Sequence, residues 1–133
     1  MAKPSGRILI VDDQPALLRM MSSYLTRLGY TVSTSNTTEK AWAYMEANPA
    51  GIDVAVLDAT MPGLSMPELA SRILNANPKL RVLGASGYPV DMAAVEAAAP
   101  GRVSFLYKPF TPEMLAAAVR SLLGTEAEDI CAG

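Results

Sequence analysis

Short apolar-rich runs alternate along this chain with longer stretches in which apolar residues return every three or four positions. Runs at 8–11, 53–57, 81–85 and 104–107 have the length and the β-branched or aromatic content of strands. Val54 to Leu57 is unbroken, which suits a strand covered on both faces. A more polar run at 30–35 suits a strand at or near an edge. Between these runs the period lengthens. At 15–28, Leu17, Leu18, Met21, Leu25 and Leu28 share one helical face, and Gly29 supplies a C-terminal stop. A second helix at 37–47 carries Ala41, Trp42 and Met45. A third opens at Ser65, where Glu68 completes capping-box spacing and Pro67 falls in the first turn. An alanine-rich helix covers 90–99, and a last one starts at Thr111-Pro112-Glu113 and runs to about Leu123 before Gly124.

Five strands alternating with five helices imply an α/β domain: one doubly wound parallel sheet, right-handed crossovers, and helices on both faces. The length of 133 residues, half of them hydrophobic, fits a single domain over 1–124 with a short, frayed C-terminal tail at 125–133. No internal repeat or low-complexity segment breaks the alternation.

Charge and composition then remove several function classes. The formal charge is −2, and the 11 basic residues are scattered, so no footprint for direct nucleic-acid binding exists. Cys131 is the only cysteine and histidine is absent, which excludes an intrachain disulfide, thiolate clusters and imidazole chemistry. No stretch approaches membrane-spanning length, and residues 1–7 lack the apolar core of a signal peptide. A cytoplasmic protein without membrane contact is the expectation.

The chemistry gathers at strand ends. Asp58 closes its apolar run and opens Asp58-Ala59-Thr60-Met61-Pro62-Gly63, while Asp12-Asp13 closes the first strand in the same manner. Ends of strands are where an open α/β sheet binds ligands. Three carboxylates there repel one another strongly unless a cation sits among them. Ser86 follows the fourth strand and Lys108-Pro109 the fifth. Taken singly, each has an ordinary reading: an Asp as a turn or helix cap, Ser86-Gly87 as a turn, Lys108 as a solvated lysine. Their joint occurrence on four strand ends favours a shared site. The methionines Met61, Met66, Met92 and Met114 suit packing, not ligation.

In this order, over residues 7–124, these elements resemble the receiver domain of two-component response regulators. That resemblance implies a flavodoxin-like sheet of order 2-1-3-4-5. It implies that Asp58 is the nucleophile, taking a phosphoryl group to form an aspartyl phosphate. Asp12, Asp13, Asp58 and the backbone carbonyl of Thr60 then hold Mg²⁺ (or Mn²⁺), while Lys108 and the Ser86 hydroxyl anchor the phosphoryl oxygens. A cis peptide bond between Lys108 and Pro109 is implied too. Ser86 and Phe105 become the switch pair, although Phe105 lacks the hydroxyl that Tyr107 carries. Thr60 and Tyr88 fall where the family tunes dephosphorylation.

The implied donor is a histidine kinase or histidine phosphotransfer protein. The implied output is a downstream partner, or a weak homodimer, on the surface of the fourth helix, fifth strand and fifth helix, which is rich in Ala93, Ala97, Ala116 and Ala117. Ser86-Gly87-Tyr88-Pro89 and Phe105-Leu106-Tyr107-Lys108-Pro109-Phe110 are most similar to receivers of hybrid histidine kinases, yet no kinase core is present in this sequence. One departure is Ser65-Met66-Pro67, where the family continues with an acidic residue and glycine, so the loop there is expected to be capped differently. The product of such a module is a signal, and it is expected to be a switch, not a metabolic enzyme. Two other classes stand beside this one. A phosphorylation-independent docking module keeps the fold without the chemistry. An aspartate-nucleophile phosphatase usually carries a second Asp two residues after its nucleophile, where this chain has Thr60.

Overall fold

In the computed structural model, which describes residues 6–132, strand and helix alternate throughout. The elements are β1 (Arg7–Val11), α1 (Pro15–Leu28), β2 (Thr31–Ser35), α2 (Thr38–Ala47), β3 (Val54–Asp58), α3 (Met66–Ala76), β4 (Arg81–Ser86), α4 (Ala93–Ala98), β5 (Val103–Tyr107) and α5 (Pro112–Ala132). The strands form one parallel sheet of order β2-β1-β3-β4-β5, the implied flavodoxin-like arrangement, with the polar β2 at an edge.

Alternation along each strand feeds two cores. Ile8, Ile10, Val54 and Val56 face α1 and α5, meeting Met21, Leu25, Leu115 and Val119. Leu9, Val11, Ala55 and Leu57 face the opposite way, toward Met45 of α2, Leu69 and Ile73 of α3, and Val95 of α4. Each fully buried Leu or Ile contributes roughly 1.5–3 kcal/mol, so the two layers fix the strand register.

Register is what builds the site. Val11 pairs with Leu57, Asp58 with Ala85, and Ser86 with Tyr107, so β1, β3, β4 and β5 end side by side. Asp12, Asp58, Ser86 and Lys108 therefore emerge as neighbours from segments far apart in sequence.

Helix boundaries follow local chemistry. α1 occupies the expected 15–28, and Gly29, at φ 113°, takes the left-handed conformation that closes it. The Ser65 hydroxyl accepts the Glu68 N–H at 3.2 Å, which caps α3 as the spacing predicts, while the Glu68 carboxylate turns to Arg72 one helical turn on. Several boundaries shift, and β4 runs on to include Ser86, which was expected to follow it. Asp58 belongs to β3 itself, since that strand stays paired to β4 for one residue more. α4 begins at Ala93, not 90, because the Asp91 carboxylate accepts the Ala93 N–H and holds a turn ahead of it. α5 continues through Gly124 to Ala132, where a stop near Leu123 and a tail were expected. One glycine costs a helix only about 1 kcal/mol, and Glu126, Ala127 and Glu128 are good helix formers. Residue 133 lies outside the described residues.

The N-terminal end of the sheet is tied by matched polar groups. Asp53 accepts the Arg7 N–H at 2.8 Å and pairs with its guanidinium. Asn77, buried, donates to the Ile52 carbonyl and accepts the Lys79 N–H. Arg102 donates to the carbonyls of Leu74, Asn77 and Leu80, closing the end of α3 onto β4.

Candidate functional site

Asp58 is carried by the most buried strand of the sheet, every residue of which is buried. Its carboxylate is fixed at both oxygens. Lys108 Nζ donates to Oδ1 at 2.7 Å, and the Thr60 hydroxyl donates to Oδ2, also at 2.7 Å. Lys108 Nζ also lies 3.5 Å from Asp12 Oδ2, so one ammonium spans two buried carboxylates. The bond between Lys108 and Pro109 is cis, as implied by the resemblance.

Asp12 leaves β1 immediately beside β3. Its N–H binds the Ser35 carbonyl, and its Oδ1 accepts the Gln14 N–H at 2.9 Å. The ordinary reading of this pair as a cap for α1 does not hold: Asp12 instead holds a turn ahead of the helix, and that bond coexists with the clustering. Gln14 itself takes the N-cap position of α1. Among the described residues, Asp12, Asp13 and Asp58 bring carboxylate oxygens within 4.8 Å of one another. Asp13 is the exposed member.

Electrostatics reflect the crowding. Burial pushes the Asp12 carboxyl above its ordinary value of 3.8; the Gln14 N–H opposes that rise, and the Asp58 charge adds to it. For Lys108, burial alone would lower the ammonium, but its hydrogen bond to Asp58 and the charges of Asp12 and Asp58 outweigh burial and hold it above 10.5. A lysine held charged between carboxylates is a fixed anion-stabilising group. Oxygen-only donors at this spacing suit a small hard cation.

Ser86 is fully buried at the end of β4, and its hydroxyl accepts the Tyr88 N–H at 3.1 Å. Its carbonyl accepts the Lys108 N–H at 2.8 Å, tying the serine to the lysine through the backbone. Phe105 lies one pleat earlier on β5, partly buried against the α2–α3–α4 core, with its ring edge-on to Tyr107 at a centroid distance of 4.9 Å. It is therefore apart from the carboxylate cluster, beside the α4–β5 groove that Val90, Met92, Glu96 and Tyr107 also line.

Two contributors escape a reading by motif. The Thr60 side chain bonds the Asp58 carboxylate, whereas the resemblance singles out its backbone carbonyl for the metal. Thr38, buried at the start of α2, accepts the Leu64 N–H at 3.2 Å and lies 3.4 Å from the Pro62 carbonyl. It pins the loop after Asp58, which is how this chain orders the segment that departs from the family pattern. A contact across 26 residues leaves no local signal.

A sequence profile of the response regulator receiver domain matches residues 8–120. The chain is 31% identical to the response regulator GtcR of Aneurinibacillus migulanus over 90% of its own length, and spans 48% of that protein. It is 28% identical to the chemotaxis protein CheY of Thermotoga maritima, over 87% of this chain and 96% of CheY. Among solved structures, the receiver domain of the hybrid histidine kinase CckA superposes with a TM-score of 0.76 at 30% identity, covering 89% of this chain and 99% of that one. The profile takes in all four strand ends that bear the acidic cluster and its lysine, and the chain belongs to the response regulator receiver domain family.

Proposed function

We propose that this domain is the phosphoacceptor of a two-component or phosphorelay pathway, with Asp58 as the residue modified. One observation carries the proposal: a buried carboxylate held at 2.7 Å by a lysine, within reach of two further carboxylates, on four converging strand ends. Phosphoryl transfer asks mainly for positioning and for neutralised charge on the moving group. An Asp58 carboxylate oxygen forms a bond to phosphorus as the P–N bond of a phosphohistidine donor breaks. The electron pair leaves with the imidazole nitrogen.

Lys108 balances the anion at the acceptor and follows it onto the phosphoryl oxygens. The Ser86 hydroxyl, which uses an oxygen lone pair on the Tyr88 N–H, keeps its own proton free to donate to a phosphoryl oxygen. Asp12, Asp13, Asp58 and the Thr60 carbonyl are the groups to hold Mg²⁺, or Mn²⁺ in its place. When bound, the ion supplies charge neutralisation for the transfer.

The domain acts as a switch, not a metabolic enzyme. Its donor is a histidine kinase or phosphotransfer protein, its output a protein received on α4, β5 and α5, and its setting the cytoplasm. Incubation with acetyl phosphate and Mg²⁺ tests the assignment. Wild type is expected to incorporate phosphate and Asp58→Asn to fall to background. Equal incorporation by both would remove Asp58 as the acceptor.

A further inference from the structure

Gly84 stands in the middle of β4 with no positive φ and no turn to explain it, between Leu57 of β3 and Phe105 of β5. A glycine inside a strand weakens it and commonly marks a close approach. Here the approach is by two side chains. A β-carbon on Gly84 would stand 2.9 Å from Met66 Sδ and 3.0 and 3.2 Å from Phe105 Cδ1 and Cε1. Met66 opens α3 at the end of the loop that follows Asp58, and it is buried. Phe105 borders the α4–β5 groove, a cavity of about 440 Å³.

We infer that Gly84 is a seat for the Phe105 ring and that Met66, resting on the same seat, couples the acceptor loop to the α4–β5 groove. The coupling rests on the phosphoacceptor reading; the seat itself does not. Its physical basis is that sulfur and ring edge share a space one β-carbon wide. Thioether and aromatic groups attract when in contact, and close-packed side chains shift between discrete arrangements instead of deforming gradually. A move of the loop that displaces Met66 changes what holds Phe105. Any other residue at position 84 would fill the shared space with its own β-carbon and put a fixed group between the two.

The experiment labels the full chain with 4-fluorophenylalanine. Two ¹⁹F signals arise, Phe105 and Phe110, and Phe110→Leu assigns them. In the unmodified protein, Gly84→Ala and Met66→Ala are each expected to move the Phe105 signal and leave Phe110 in place. Should Gly84→Ala fold poorly, Met66→Ala alone carries this arm. A Phe105 signal unchanged in Met66→Ala overturns the seat. Addition of Mg²⁺ and beryllofluoride then tests the coupling, with the amides of Ala59 and Thr60 followed in parallel. The expected result is that those amides shift in both proteins, while the Phe105 response seen in wild type is lost in Met66→Ala. Amides that shift with an equal Phe105 response in both proteins overturn the coupling and leave the acceptor assignment intact. Amides that do not shift at all count against the acceptor assignment, and the coupling falls with it.

Discussion

The two ends of the sheet handle charge in opposite ways. At the N-terminal end every named polar group meets its complement: Asp53 meets Arg7, Asn77 meets one carbonyl and one N–H, and Arg102 meets three carbonyls. At the C-terminal end three carboxylates cluster, and one ammonium pairs with two of them. Consistent pairing is what stability alone selects, and a mismatch that persists in a well-packed fold marks a place kept for chemistry. The mismatch has the sign a cation would correct.

Lys108→Met is the harshest way to break this comparison, because it takes away the ammonium that spans Asp12 and Asp58 and leaves them facing each other in a buried site. Removing one partner of a buried pair costs about 3 kcal/mol or more. Urea denaturation without metal should show that loss, and Mg²⁺ should restore part of it. Unchanged stability would mean that the lysine is not neutralising the pair.

At the opposite end, Arg102→Met removes three charge-assisted hydrogen bonds that hold the end of α3 to β4. A loss of about 2 kcal/mol is expected, since three carbonyls of buried residues lose their charged donor. Mg²⁺ should leave that loss unchanged, and the rate of phosphate incorporation from acetyl phosphate should stay near wild type. An Arg102→Met variant that folds normally but incorporates phosphate poorly would erase the distinction between the ends.

These contrasts were unequally legible in the sequence. Strand ends bearing Asp12, Asp58, Ser86 and Lys108 announce themselves, because an apolar run broken by a polar residue is a local pattern and the sheet order brings such breaks together. Asn77 and Arg102 carry no such mark. Apart from the Lys79 N–H, their partners lie 22 to 28 residues away and are backbone carbonyls, which every residue type supplies. Gly84 was hidden for a related reason: what it accommodates is set by α3 and β5, not by its neighbours in β4. The end of α5 was misplaced because a lone glycine reads as a stop, although its cost is within what adjacent helix formers offset.

Asp58→Asn sharpens the comparison further. The amide can still bond Thr60, and the substitution removes one of the three like charges at the cost of the Lys108 pair. Like charges a few ångströms apart near a protein surface interact by a few kcal/mol, so the net is a gain of about 1 kcal/mol in metal-free stability. Chemical denaturation in the presence of a chelator checks it. A clear loss instead would show that Lys108 already neutralises the cluster in full.

The smallest effect isolates Asp12. Its carboxyl is raised above 3.8 by burial, against the Gln14 N–H bond and with the help of Asp58. The folded protein therefore holds this proton more tightly than the unfolded chain does. Between 3.8 and the raised value, stability attributable to Asp12 falls as pH rises, and above that window it is constant. Other carboxylates titrate nearby, so the useful quantity is a difference. Asp12→Asn keeps an oxygen for the Gln14 N–H and has no charge to lose. Metal-free denaturation of both proteins from mildly acid to neutral pH should show the variant gaining on wild type as pH rises, then running parallel to it. A gap that does not change with pH would mean that the buried carboxylate costs nothing to ionise, and the cluster would no longer differ in kind from the matched pairs below it. A gap that closes on adding Mg²⁺ would instead assign that cost to a charge the cation is there to offset.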